Sequence, residues 1–353
     1  MNAVIEENVR LAELTTLKIG GQARYFVRVT SEGEVVETLK YARQNNLPTF
    51  VLGGGSNVLI ADEGFDGLVL QIALKGISVS EEKDEIVRVS AQAGEDWDEL
   101  CEFCVERNLQ GIECLSGIPG LTGGTPVQNV GAYAQEVSET ILKVKCFDRK
   151  LDEFVELANH ECGFAYRTSI FNTTEKNRFI VLNVTFALRL GGEPKIVYRD
   201  LINYFGNTKP NLKETRSAVL EIRGEKSMVI ATDDPNSRSA GSFFKNPIVA
   251  RERLAEIEER ASRLGLENIP YFKVDESQVK IPAAWLIEKS GFQKGYEYGA
   301  TGLSTRHTLA IVNRGNATAK DILKLKEKIQ SAVREKFNVE LMPEPIFVGF
   351  KND

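Results

Sequence analysis

The stretch TFVLGGGSNVLI, residues 49–60, runs two short apolar segments into one another through three consecutive glycines. Just before it, EVVETLKYARQNN (34–46) places Val35, Val36, Leu39 and Ala42 on one face of a helix. Helix, buried strand, glycine loop and strand in succession is an order of mixed α and β structure, in which loops at strand ends commonly hold ligands. GGGSN is not a Walker loop, because no Gly-Lys-Ser/Thr follows it. It is not a Rossmann fingerprint either: the G-x-G-x-x-G spacing is missing, and strand-like VLI stands where a helix would be needed. A tight turn at Gly53, Gly54 and Gly55 exposes backbone amides with no side chains in the way, which suits phosphate oxygens and suits an ordinary turn equally.

Further along, GLVLQIAL (67–74) and EIVRVSAQAG (85–94) read as strands, and DWDELCEFCVERN as a helix with Trp97, Leu100, Cys101, Cys104 and Val105 on its apolar side. A second glycine-rich segment, SGIPGLTGGTPVQNVGAY (116–133), is 18 residues long, and loops of that length inside a domain usually have a function. It adds the hydroxyls of Ser116, Thr122 and Thr125. Two amide-rich loops in one chain suit a long ligand with a pyrophosphate in its middle, a dinucleotide.

The alternation in IVLNVTFALRL (180–190) predicts a half-buried strand. The helical pattern of KETRSAVLEIRGEKS (213–227) then gives way to charge and turn residues, which sets a domain boundary near residue 225. Beyond it, ARERLAEIEERASRLG, IPAAWLIEKSG and TAKDILKLKEKIQSAVREKF read as helices. The last opens on a capping box between Thr318 and Asp321 and carries a stripe of Ile322, Leu325, Ile329 and Val333. Strand-like LAIVN (309–313) and EPIFVGF (344–350) complete a small α+β unit.

Composition narrows the chemistry. With 353 residues, two or three domains are expected. A net charge of −6 without a basic block argues against nucleic acid. No apolar run reaches the roughly 20 residues of a membrane span. The acidic start MNAVIEENVR lacks the features of a secretory signal, so a cytoplasmic enzyme is expected. The five cysteines are odd in number and argue against a disulfide framework. Acids flank Cys101 and Cys104 and would raise their pKa, so this C-x-x-C reads as helix packing. Two distant histidines, His160 and His307, make a metal site improbable, and none is assigned.

Taken in order, GGGSNVLI, SGIPGLTGGTPVQNVGAYAQEV, FAYRTSIF, SAGSFFKNP and MPEPIFVG resemble the UDP-N-acetylenolpyruvoylglucosamine reductase family, and the likeness runs from TTLKIGG near residue 15 to the end. That resemblance implies an α+β fold. Residues 1–224 would form a FAD-binding region of the vanillyl-alcohol-oxidase type, in two subdomains of roughly 1–75 and 76–224. The strand 343–353 would return to the first subdomain, and residues 225–342 would form the UDP-sugar domain. It implies an enzyme that uses NADPH and bound FAD to reduce an enolpyruvyl UDP-sugar to UDP-N-acetylmuramate; a monomer is expected, although the sequence itself does not give the oligomeric state. Gly53, Gly54, Gly55, Ser56, Asn57, Ser116, Ile118, Pro119, Gly120, Gly123, Gly124, Thr125 and Gly131 would hold the cofactor, and Tyr133, Tyr166, Tyr198 and Asn246 the substrate.

The chemistry needs a cation at the carboxylate, a group to manage the enolate and a proton donor. Arg167 offers a planar fork that lysine cannot. Glu344 is fixed between two prolines. An ordinary turn is the plain reading of SAGSFFKNP, although a serine can protonate the very basic enolate carbon if the site is poor in water; the resemblance implies that Ser242 is the proton donor and leaves Ser239 as structural. A lysine of some relatives is missing where Ile230, Ala231 and Thr232 stand, with Lys226 and Lys245 as substitutes, and Arg306 and His307 occupy a region where some relatives have a substrate-contacting glutamine. A carbohydrate or alcohol oxidase of the same fold, and a silent binding module, are the alternatives; the GGGSN region has no histidine to tether a flavin, and Ser242, Arg167 and Glu344 are all present.

Overall fold

A computed structural model describes residues 4–81 and 84–350, so residues 351–353 of the expected C-terminal strand lie outside the described residues. The chain divides into two compact units: Met1–Val9, Ala23–Gly55 and Asp66–Val229 in the first, and Arg10–Gln22, Ser56–Phe65 and Ile230–Asp353 in the second.

In the first unit, helix α1 (Glu32–Gln44) starts where the Ser31 hydroxyl accepts from the Glu34 amide, and it buries Val35, Leu39 and Ala42 as the spacing predicts. It leads into strand Thr49–Leu52, which runs parallel to Phe65–Ile72 at the edge of a four-stranded sheet. A second sheet of six strands is antiparallel throughout, with Phe179–Leu190 at its centre between Ile141–Asp148 and Ile86–Gln92. That central strand departs from the half-buried expectation. Ile180, Val181, Leu182, Val184, Thr185 and Phe186 are all buried, so both faces are covered there, while Leu190 at its end is exposed. Alternation in sequence does not report burial when the polar-face positions carry Val181 and Thr185 under a second layer. Helix α2 (Trp97–Glu106) follows, with Cys101 and Cys104 fully buried and Asp96 capping its first turn. Burial raises both thiols, that of Cys104 to about 12. Helices α3 (Arg199–Phe205) and α4 (Leu212–Glu225) pack Leu201, Ala218, Val219 and Ile222 against Tyr133 and Cys114 in a small cluster of their own.

The second unit has helices α5 (Arg251–Arg263), α6 (Ala283–Lys289) and α7 (Ala319–Phe337) around two three-stranded sheets. Its core joins Phe243, Phe244, Ile311 and the α7 stripe Ile322, Leu325, Ile329 and Val333 to Leu17, Ile19 and Leu59. The expected capping box of α7 is present, and the Asp62 carboxylate also accepts from the Ala319 and Lys320 amides at 2.7 and 3.2 Å. Strand Ile346–Val348 pairs in parallel with Val58–Ile60.

Candidate active site

The first unit brings its two glycine loops into backbone contact. A Cβ built on Gly54 would lie 2.8 Å from the Gly120 Cα, so any side chain there would push the loops apart. Gly55 is left-handed at φ +66°, the conformation that lets the chain turn sharply out of strand Thr49–Leu52. The second loop is less open than its composition indicates. The Thr122, Gly123, Gly124 and Thr125 amides donate to the carbonyls of Glu95, Ala93, Leu121 and Thr122, and Thr122–Gly124 forms a turn of 3-10 helix. The Ser116 and Thr125 hydroxyls likewise donate to the Glu113 and Thr122 carbonyls, both at 2.8 Å. These residues fix the shape of the loop. Ile118, Pro119 and Gly120 form its partly exposed crest.

A different polar atom is left over. The Thr122 hydroxyl is fully buried and has no hydrogen-bond partner among the described residues. Cβ atoms on Gly53 and Gly124 would meet nothing within 4 Å, so the backbone on both loops borders open space. Side-chain-free backbone beside open volume on both loops fits a phosphate-bearing ligand such as FAD.

Arg167 sits in a tight turn closed by paired hydrogen bonds of 3.0 Å between Ala165 and Thr168. Its φ of +52° is unusual for a residue with a side chain, a strain that clusters at functional positions. The guanidinium is aimed by a 2.8 Å hydrogen bond to the Gly131 carbonyl and lies 5.6 Å from the Tyr166 ring. Tyr133 and Ala134, both left-handed, form the two-residue turn of the hairpin that begins at Gly131.

Tyr133 packs edge-on against Tyr198 with ring centroids 5.4 Å apart, so two of the sequence-assigned substrate residues meet. Burial raises the Tyr133 hydroxyl to about 12 despite the opposing charge of Arg223. Lys226 stands 6.0 Å from the Tyr133 ring and pairs with Asp200.

Two arginines of α4 went unassigned in the sequence. Arg216 grips Asp98 with both arms, at 2.5 and 3.0 Å, and Asp98 accepts from the Gly117 amide at 2.6 Å. Arg223 is buried, donates to the Met228 carbonyl at 2.7 Å, and lies against Gly117 and Tyr133. Two arginines seven apart within the stripe of Leu212, Val219 and Ile222 were the available signal, since a solvated face would not share its side with those residues.

In the second unit, Gly241 is left-handed at φ +70°, and the Phe243 amide donates to the Leu309 carbonyl at 2.8 Å. Phe243 and Phe244 are buried and pack edge-on with ring centroids 5.5 Å apart, while Ser242 is partly exposed. The two serines differ. Ser239 accepts from the Gly241 amide at 3.3 Å through its hydroxyl, and its carbonyl accepts from Thr16 at 2.6 Å. The Ser242 hydroxyl engages no group among the described residues.

Glu344 is tied through its backbone: its amide donates to the Phe243 carbonyl at 2.9 Å, and its carbonyl accepts from Asn57 at 3.4 Å. Asn57, its neighbour Ser56, Ser242 and Glu344 thus belong to one unit. Asn246 accepts from the Ala283 amide at the start of α6 at 2.9 Å. Arg306 and His307 form a turn in which both amides donate to the Ser304 hydroxyl. Among the described residues no cluster of histidine, cysteine and acid could hold a metal.

Residues 23–156 match the FAD binding domain family, and residues 233–348 the UDP-N-acetylenolpyruvoylglucosamine reductase C-terminal domain family. The chain is 43% identical to the UDP-N-acetylenolpyruvoylglucosamine reductase of Thermobifida fusca over 99% of both chains. It is 42% identical to that of Streptomyces coelicolor over 96% of this chain and 89% of the relative. The crystal structure of the same reductase from Thermus caldophilus superposes with a TM-score of 0.65 at 25% identity, over 99% of this chain and 100% of that one.

Proposed function

The chain belongs to the UDP-N-acetylenolpyruvoylglucosamine reductase family, and from that premise we propose which of its residues carry the reaction. The activity is the FAD-dependent, NADPH-driven reduction of UDP-N-acetylglucosamine-enolpyruvate in peptidoglycan precursor synthesis. Bound FAD supplies hydride exchange, between NADPH and the methylene carbon of the enolpyruvyl group. Gly53, Gly54, Gly55, Ser56 and Asn57 hold it together with the second loop, Ser116, Ile118, Pro119, Gly120, Gly123, Gly124, Thr125 and Gly131.

Arg167 presents its fork to the substrate carboxylate, aimed by the Gly131 carbonyl. Negative charge grows on that carboxylate as the enolate forms, so a fixed cation there helps more in the transition state than in the ground state. Glu344, with its backbone pinned, manages the proton at the enolate oxygen. Ser242 gives a proton to the carbon beside the carboxylate. Tyr133, Tyr166, Tyr198 and Asn246 contact the UDP-sugar, and Lys226 supplies the positive charge that Ile230, Ala231 and Thr232 do not. A cofactor region of residues 1–224, with a substrate domain of 225–342, remains our division of labour. A monomer in the reducing cytoplasm suits five buried free thiols.

The observation that carries this reading is the contrast between Ser239, whose polar atoms are engaged within the chain, and Ser242, whose hydroxyl is not. The test is optical. The purified protein should be yellow, NADPH should bleach it without oxygen, and the enolpyruvyl UDP-sugar should restore the colour as UDP-N-acetylmuramate forms. A flavin indifferent to NADPH, or one that the sugar cannot restore, would sink the reading.

A further inference from the structure

A cavity of about 460 Å³ opens in the first unit among the C-terminal turn of α1, the start of strand Thr49–Leu52, the turn after Ile141–Asp148 and the segment 175–178. It shares no residue with the candidate active site. Its floor is apolar, with Leu39, Leu47 and Phe147, and its rim is rich in cations.

Two of those cations are already neutralised. Arg178 binds Asp148 and Glu175, and Arg43 pairs with Asp152 at 2.6 Å. Arg149, Lys150 and Lys176 have no carboxylate within ion-pair distance among the described residues.

Arg149 is the best defined of the three. Its two terminal nitrogens donate to neutral acceptors, the Thr49 hydroxyl at 2.5 Å and the Asn177 carbonyl at 3.0 Å, which hold the guanidinium without discharging it. Five N–H donors leave the fork with capacity for a ligand. Burial, and then the neighbouring charge of Arg43, disfavour its charged form, so an anion would relieve both. Three unneutralised cations around one cavity are notable in a chain of net charge −6, where the overall field does not draw anions in.

The geometry points to a second small-molecule site here, for a nucleoside phosphate whose phosphates meet Arg149, Lys150 and Lys176 and whose apolar body lies on Leu39, Leu47 and Phe147. The volume falls within the roughly 300–1,000 Å³ of small-molecule sites, and an apolar floor with a few placed polar groups is their usual lining. A bare phosphate would leave that floor uncovered.

Hydrogen exchange on the FAD-loaded enzyme, followed peptide by peptide through an ADP titration, reads this site separately from the active site. ADP should slow exchange in peptides covering 147–151 and 174–178, at lower concentration than inorganic pyrophosphate does. The double variant Lys150→Gln/Lys176→Gln removes two exposed, unpaired charges. Its turnover without ADP should match the parent, and ADP affinity at these peptides should fall about tenfold or more, the change expected for a lost charge-assisted contact. No protection at these peptides, equal protection in the double variant, or pyrophosphate as effective as ADP would each overturn the proposal.

Discussion

At Arg167 an unfavourable backbone conformation fixes the side chain that we propose meets the substrate carboxylate. Its left-handed φ of +52° is held by the Ala165–Thr168 hydrogen bonds and by the Asn172 side chain, which donates to its carbonyl at 3.2 Å. Arg167→Lys keeps the charge but loses the fork. Flavin content should stay at the parent level, while kcat/KM for the enolpyruvyl substrate falls about 10- to 100-fold, as one charge-assisted hydrogen bond is worth about 1.5–3 kcal/mol. Unchanged kcat/KM would remove Arg167 from the carboxylate.

Gly54 makes the opposite kind of statement, about a side chain that must be absent. Gly54→Val places atoms 2.8 Å from the Gly120 Cα. The purified variant should be colourless, with most of its melting cooperativity retained; a fully yellow one would place the flavin elsewhere. At this scale the sequence was informative. Gly54, Arg167, Ser242 and Glu344 sit in motifs whose order carried the family resemblance. Thr122 passed as one loop hydroxyl among three, because only the fold distinguishes an orphaned hydroxyl from one that closes a turn, as those of Ser116 and Thr125 do.

Among elements, α4 is the one whose role was least legible. Its boundaries follow from the Asn211 cap and the apolar spacing, yet arginines on a helix ordinarily read as a solvated face. Here Arg216 reaches Asp98 on α2, and Asp98 holds the Gly117 amide of the second glycine loop, so one helix braces the loop through another. Burial pushes the Asp98 carboxyl up, but Arg216 and the Gly117 amide outweigh it and hold it below the usual carboxylate range.

A carboxyl lowered in the folded state adds stability above its unfolded pKa, near 4, and loses it as pH falls through the folded value. Arg216→Met should therefore cost about 1–2 kcal/mol at neutral pH, discounted for the partial exposure of Asp98, and should flatten the loss of stability on acidification. Melting curves of parent and variant from pH 7 to 3 check both; parallel curves at equal Tm would show the brace to be idle. The central strand Phe179–Leu190 was misjudged for a related reason. Its existence followed from its pattern, but the cover on its second face comes from segments remote in sequence.

For the whole molecule, the longer helices were readable from periodicity and caps, but strands such as Gln22–Val29, Ile141–Asp148 and Glu153–Ala158 and the short helix Arg199–Phe205 were not. The weave of the units had no signal of its own in the residues, and only the family resemblance implied that the C-terminal strand returns to the early chain. The second unit takes in Arg10–Gln22 and Ser56–Phe65 from early in the chain, and strand Val58–Ile60, read as part of the glycine-loop fold, pairs with Ile346–Val348. Parallel pairing over nearly 300 residues of separation leaves no local signal.

Function divides the molecule in another way, into two half-reactions that can be watched separately by stopped-flow absorbance in Ser242→Ala. Reduction of the flavin by NADPH needs no proton from this serine and should run at nearly the parent rate. Reoxidation by UDP-N-acetylglucosamine-enolpyruvate does need it, and should slow by about 10²- to 10⁴-fold, the usual contribution of a positioned acid. Ser239→Ala should leave both rates fast. If Ser242→Ala is reoxidised by the sugar as quickly as the parent, Ser242 is not the proton donor.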